Sequence, residues 1–207
     1  MPISLEQLAQ RLSGHTPARL ALEGAVKRAA VAIVVRATRA DEDGAVRGLE
    51  VLMVRRAERP GDPWSGHMGF PGGREEPEDG DLERTALRET YEEIGVRLEE
   101  SCRLVGRLSE IQARAREGLL PMTIMPFVYE LRGAIEPRTS SEVAESTWVP
   151  LAFLRERANR ATMRHEIAGS EWMLPCYEWS GRVLWGLSLA MLDELVFRVI
   201  DATDPDR

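Results

Sequence analysis

Lysine is almost missing from this chain of 207 residues: Lys27 stands alone, and the rest of the 27 basic residues are arginine. Acidic residues number 34, which leaves a formal net charge of -7. A balance of that sign excludes a general nucleic-acid-binding surface, which shows as a basic patch on a basic domain. It leaves room for a small anionic substrate, because an arginine cluster or a bound cation reverses the field inside one cleft. Cysteine is scarce as well. Cys102 and Cys176 lie far apart and fit neither a disulfide framework nor a zinc spacing. Two free thiols and a cytoplasmic location are therefore expected. Long apolar runs are missing too. The longest, Ala29 to Val35, falls far short of the ~18–20 residues of a spanning helix. Met1-Pro2-Ile3-Ser4 does not begin a signal peptide, so no membrane association is expected.

What is present suffices for an ordinary core, since 43% of the residues are hydrophobic. Ser4 and Gln7 form a capping-box pattern before Leu5, Leu8 and Leu12, and predict an amphipathic helix over 4–13. Ala29–Arg36 and Leu49–Val54 read as strands, an antiparallel pair joined by the polar loop around Arg39-Ala40-Asp41-Glu42-Asp43-Gly44. Arg59–Gly73 holds so much glycine and proline that it predicts a shaped loop, with one extended piece at Met68–Phe70. Asp81 offers an N-cap, Leu82–Ile94 a helix, and Gly95 its stop. Further strands are expected at 103–108, 122–131 and 146–149, a helix at 151–158, and a C-terminal helix at about 187–200. In that last helix Leu187, Met191, Leu195 and Val199 form the buried stripe, with Asp193 and Glu194 off it. Residues 1–207 read as a single domain of the α+β class, helices on a mixed sheet.

The helix 82–94 carries the chemistry. At ~100° per residue, Glu89, Glu92 and Glu93 share one arc, while Leu87, Tyr91 and Ile94 form the back that is expected to be buried. Like charges about 6 Å apart at an effective dielectric of ~20 cost on the order of 2–3 kcal/mol per pair before screening. A counter-charge is needed, and an oxygen-only donor set selects Mg²⁺ or Mn²⁺ over zinc. Gly72 and Gly73 let the preceding backbone approach closely enough for a carbonyl to join the shell. Arg88 could orient a carboxylate or pair with Asp79. The plain alternative is a solvated face of mixed Arg and Glu.

Phe70-Pro71-Gly72-Gly73 through Val96 resembles the Nudix box, G-x5-E-x7-R-E-U-x-E-E-x-G-U, where U is aliphatic. Arg88, Glu89, Glu92, Glu93, Gly95 and Val96 match it position by position. Three features depart: Asp79 stands at the sixth position after Gly73, fourteen residues rather than thirteen separate Gly73 from Arg88, and Thr90 replaces an aliphatic residue. The one-residue insertion is similar to the coenzyme A diphosphatase branch. So are Leu52-Met53-Val54-Arg55-Arg56 and Gly66-His67-Met68-Gly69-Phe70, although Met53 and Arg56 replace a Thr and a Ser of that branch's pattern.

The resemblance implies a Nudix α/β/α sandwich and metal-dependent hydrolysis of a diphosphate in coenzyme A or acyl-coenzyme A. The products would be 3′,5′-ADP and 4′-phosphopantetheine. It implies Glu89, Glu92 and Glu93 as metal ligands with the Gly72 carbonyl, and Arg88 as their orienter. The general base would be a helix carboxylate, Glu142 or Glu145, with Glu142 preferred; an exposed-loop role is the alternative for these last two. Arg55, Arg56, Arg59 and His67 would contact substrate, the arginines suiting a 3′-phosphate, against solvated or ordinary loop roles. Strand alternation points Arg55 and Arg56 to opposite faces. Trp64, Trp172, Trp179 and Trp185 are expected to pack, with adenine stacking as the alternative. Two rival readings stay open: another nucleoside diphosphate derivative (ADP-ribose, NADH or an oxidised nucleotide) as substrate, and a non-catalytic nucleotide-sensing domain. A homodimer is compatible with either.

Overall fold

Ala30, Ala32 and Val34 enter one buried apolar cluster, and Ile33 and Val35 enter another. A period of two with both sets buried is what a strand covered on both faces requires. A computed structural model describes residues 3–24, 26–38, 48–61, 64–115, 118–167 and 170–201. The polar loop expected around 39–44, and Pro63 of the glycine-rich loop, lie outside these residues. The strands of the main sheet are Lys27–Ala37 (β1), Leu49–Arg56 (β2), Met68–Gly69 (β3), Gly72–Arg74 (β4), Cys102–Arg107 (β5), Ile111–Ala115 (β6), Gly118–Leu131 (β7) and Val143–Pro150 (β8). Their order is β3-β2-β1-β7-β5, with β4 on β1, β6 on β7 and β8 on β2. The β1–β7 pair is parallel and the others are antiparallel, so the sheet is mixed.

Helices cover both faces. The capping box at Ser4 starts Leu5–Gly14 (α1), with Ser4 Oγ accepting from Gln7 N and Gln7 Oε1 from Ser4 N. Leu8 and Leu12 of α1 join the cluster that holds Ile33 and Val35. On the opposite face Leu82–Ile94 (α2) begins at Asp81, whose carboxylate accepts from Arg84 N, and ends at Gly95 in the left-handed region (φ 68). Leu82, Ala86 and Ile94 complete the cluster around Ala30 and Val34.

Of the expected back of α2, Ile94 is buried and Leu87 packs against the same cluster, but Tyr91 is 46% exposed, with the Arg97 guanidinium 4.2 Å from its ring centre. Thr85, Ala86, Thr90 and Glu93 are buried as well. Thr90 tolerates this because its hydroxyl donates to Ala86 O at 2.6 Å.

After Leu98–Ser101 (α3) and Leu151–Arg155 (α4) comes a 3₁₀ turn, Arg157–Asn159, where one longer helix was expected. A second sheet then follows, of which the apolar pattern gave no sign. It consists of Arg160–Ile167 (β9), Ser170–Trp179 (β10) and Arg182–Trp185 (β11), paired antiparallel. Ser180 (φ 49) and Gly181 (φ 76) make a two-residue turn between Trp179 and Arg182, the positive φ pair that matches hairpin twist. The C-terminal helix is Gly186–Asp193 (α5), and it continues as a π-helical segment, Glu194–Ile200. Glu194, expected off the buried stripe, is itself buried. Ser109 N and Oγ donate to its Oε1 at 3.0 and 2.7 Å, and His15 Nε2 lies 2.8 Å from the same oxygen. These partners satisfy the carboxylate, as burial demands.

Because Leu8 is fully buried, Leu8→Ala should cost about 2–5 kcal/mol. Urea unfolding should show a lower midpoint with an unchanged slope; a midpoint equal to the parent's would mean that α1 is not part of the core.

Candidate active site

Two glycines set the approach of loop to helix. Gly72 and Gly73 pair with Val31 and Ala30 through β4. A Cβ on Gly72, whose φ is 152, would sit 2.2 Å from Ala30 O. One on Gly73 would sit 2.4 Å from Glu89 Oε1. The backbone is thus pressed against the first carboxylate of the box, a closeness only glycine permits. Gly72 N–H also donates to Glu93 Oε2 at 3.1 Å.

Asp79 and Arg88 bind the rest of the loop to α2. Arg88 Nε donates to Asp79 Oδ1 at 2.8 Å and its Nη2 to Oδ2 at 2.9 Å. Thr85 Oγ1 and Glu76 N donate to the same carboxylate, and Arg88 Nη2 also reaches Arg74 O. Asp79 is buried, and the guanidinium beside it, helped by these donors, holds its carboxyl well below the usual range despite burial. The shorter aspartate, one residue further from Arg88 than a box glutamate would be, thereby makes a bidentate pair.

Arg88 also supplies part of the counter-charge that the glutamates need. Its Nη1 lies 3.1 Å from both Glu89 Oε1 and Glu92 Oε2. The three carboxylates are not equivalent. Glu92 is half-exposed, with 55% of its side-chain surface open, whereas Glu93 is only 4% exposed. Burial pushes the Glu93 carboxyl up to about 7, with Glu89 and Glu142 adding repulsion and Gly72 N–H and Arg56 opposing it. Burial raises Glu89 as well, against the pull of Arg88. Among the described residues no group of three or more Asp, Glu, His or Cys side chains is gathered tightly enough to hold a metal ion as the side chains stand. Glu89 and Glu92 turn to Arg88, and Glu93 turns to Gly72.

A cleft of about 1060 Å³ opens beside the Gly72–Gly73 backbone, and Arg56, Arg59, His67 and Arg74 line it. Ile111, Met122 and Leu187 add apolar lining. Arg59 Nη1 lies 3.2 Å from Glu142 Oε1, at the exposed surface. Arg55 is elsewhere, as strand alternation requires: it lines a separate cavity of about 430 Å³. Its Nε donates to Glu145 Oε1 at 2.6 Å, and Arg182 Nη2 donates to Glu145 Oε2 at 2.6 Å. Held by two guanidiniums, Glu145 stays below the usual carboxylate range and is a poor proton acceptor. Arg182 was not among the residues singled out from the sequence, because nothing local distinguishes an arginine after a hairpin turn. His67 packs edge-on against Trp185, ring centres 4.7 Å apart, and His165 lies on Trp185 at 4.5 Å. Phe70 is core, and Trp172 is exposed.

A mixed sheet flanked by helices, with an acidic helix clasped to a double-glycine loop, is the arrangement of a diphosphate hydrolase of the Nudix type. The model described as NUDIX domain matches residues 26–173, and the chain belongs to that family. It is 28% identical over 198 residues to the mitochondrial coenzyme A diphosphatase NUDT8 of Mus musculus, covering 94% of this chain and 87% of that one. It is 38% identical over 112 residues to an uncharacterised Schizosaccharomyces pombe protein, C14C4.10c, over 50% of this chain. The match spans about a third (32%) of that longer relative. Among solved structures, a MutT/nudix family protein of Enterococcus faecalis superposes with a TM-score of 0.54 at 19% identity, covering 96% of this chain and 70% of that one. Among the described residues no helix is long and apolar enough to cross a membrane.

Removing the Asp79 charge tests the clasp. Asp79→Asn leaves Arg88 without its main partner and should cost about 3–5 kcal/mol. The folded carboxyl lies below its ordinary value of 3.8, so its contribution is complete above that value and fades as pH falls towards the folded value. The stability gap between parent and variant, followed by urea unfolding, should therefore be widest near neutrality and shrink below about pH 4. A gap independent of pH would remove the assigned charge.

Proposed function

We propose that the chain hydrolyses the diphosphate linkage of coenzyme A or an acyl-coenzyme A, giving 3′,5′-ADP and the corresponding 4′-phosphopantetheine. The observation that carries this reading is one cleft that joins the Gly72–Gly73 loop at the carboxylate helix to Arg56 and Arg59. The similarity to a coenzyme A diphosphatase over nearly the whole chain supports it. In the reaction a water oxygen bonds to one phosphorus, the bridging P–O bond breaks, and the water proton passes to a base.

The donor set suits a hard divalent cation. Glu89 and Glu93 are all-oxygen donors with raised carboxyls in mutual repulsion, and the Gly73 backbone lies so close to the Glu89 carboxylate that a Cβ would collide with it. Glu89, Glu92 and Glu93 with the Gly72 carbonyl would hold Mg²⁺ or Mn²⁺. When bound, the cation supplies Lewis-acid neutralisation of the diphosphate and a lower pKa for the attacking water. The residues do the positioning. Arg88, anchored on Asp79, fixes the rotamers of Glu89 and Glu92. Arg56, Arg59 and His67 line the path of the substrate, and Arg55 addresses the 3′-phosphate from the neighbouring cavity. Glu142, placed near enough to raise both Glu89 and Glu93, accepts the water proton. The described residues work as one domain, and the unreactive thiols fit a reducing compartment such as the cytoplasm: burial pushes Cys102 up to about 12.

Mass spectrometry of products from an equimolar panel of coenzyme A, acetyl-coenzyme A, NADH, ADP-ribose and 8-oxo-dGTP should show 3′,5′-ADP as the dominant product with Mg²⁺ or Mn²⁺. Faster loss of another member would transfer the reading to that nucleoside diphosphate derivative, and no turnover would favour a sensing role. Glu93→Gln should lower turnover by at least ~100-fold, the scale of losing a group that acts on transition-state charge. Because it removes a buried repulsion, it should leave metal-free stability equal or higher. Full activity in that variant would refute the ligand assignment.

A further inference from the structure

We propose that the cavity framed by Arg55, Glu145 and Arg182 is a phosphomonoester subsite, which reads a second phosphate remote from the diphosphate under attack. The inference rests on the reading that the substrate is a bisphosphorylated adenosine derivative, and it assigns recognition of the extra phosphate to Arg182, on a different sheet from Arg55.

The cavity holds about 430 Å³, within the ~300–1,000 Å³ of small-molecule sites. It shares His67, Met68 and Trp185 with the larger cleft, so one molecule can reach both. Arg55 and Arg56 are neighbours on β2 and line different cavities; the edge-on His67–Trp185 pair forms part of both walls. Two guanidiniums around one carboxylate leave one net positive charge.

Neither fork is used up by that carboxylate. Glu145 takes Arg55 Nε and Arg182 Nη2, and Ser180 O takes Arg182 Nη1. Arg182 uses one N–H on each terminal nitrogen, which leaves a second N–H on each, and among the described residues the terminal nitrogens of Arg55 make no hydrogen bond. A planar fork matches phosphate oxygens better than any point cation does. The two-residue turn fixes Arg182 immediately after Gly181, so the hairpin aims the residue rather than leaving it on a mobile tip. Glu145 orients both forks and also opposes an incoming anion.

Calorimetric titration of the full chain with adenosine 3′,5′-bisphosphate and with AMP reads the subsite without turnover or metal. The parent should prefer the bisphosphate by about 10–100-fold, the range of charge-assisted hydrogen bonds. Arg182→Gln should collapse that ratio by about tenfold or more. Glu145→Gln, which removes the opposing charge, should raise it. Should Arg182→Gln fail to fold, Glu145→Gln decides alone, because a latch predicts a loss there and a subsite predicts a gain. Inorganic phosphate should weaken bisphosphate binding towards the AMP level and leave AMP binding unchanged. Equal parental affinities, both variants shifting the ratio the same way, or phosphate binding undiminished beside saturating bisphosphate would each overturn the proposal. The affinity ratio is independent of turnover, so failure of coenzyme A hydrolysis and failure of the subsite give different results.

Discussion

The guanidinium of Arg88 is the point on which loop, helix and carboxylates converge. One side of it makes the two-bond contact with the buried Asp79, which in turn ties Thr85 and the Glu76 backbone into the turn before α2. Its other side faces Glu89 and Glu92. Without this cation, four carboxylates would crowd the last turns of the helix and the loop that overlies it. With it, the loop is held where Gly73 meets Glu89, and the repulsion among the glutamates is only partly relieved. Burial then acts on the least exposed of them, holding the Glu93 carboxyl up at about 7, with Glu89 and Glu142 adding repulsion.

Placement of that charge depends on the sheet. β1 is covered on both faces, so α2 must lie flat along it with Leu82, Ala86 and Ile94 inward. Glu93 occupies the same stripe of the helix, and the core carries it under the loop. Glu92, one residue away, is turned outward. Neighbouring carboxylates in one motif thus have different environments, which is how a fold differentiates chemically identical groups.

The second sheet contributes differently. β9–β11 stands apart from the main hydrogen-bonded ladder and meets it through side chains. Glu145 links Arg182 of β11 to Arg55 of β2, Arg160 of β9 pairs with Asp193 of α5, and Tyr177 of β10 donates to Leu154 O. These contacts bring Trp185 beside His67 and divide the space near the glycine loop into two cavities.

Local chemistry determined much of this from the sequence alone. The capping box at Ser4, the N-cap at Asp81, the stop at Gly95 and the β-branched apolar run Ala29–Arg36 each depend on residues a few positions apart, and each is found in the structure. The pairing of Asp79 with Arg88 was legible for the same reason. Tertiary packing decided what spacing could not. The face of α2 that is buried depends on the strand it lies on, so Tyr91 is outside and Glu93 inside. Glu194 is buried because Ser109 and His15, distant in sequence, supply its hydrogen bonds. Arg182 acquires its place only when a hairpin with no apolar alternation folds against β2 and β8. Hydrogen bonds within one turn are encoded by neighbours, whereas burial and long-range ion pairs exist only once distant segments meet.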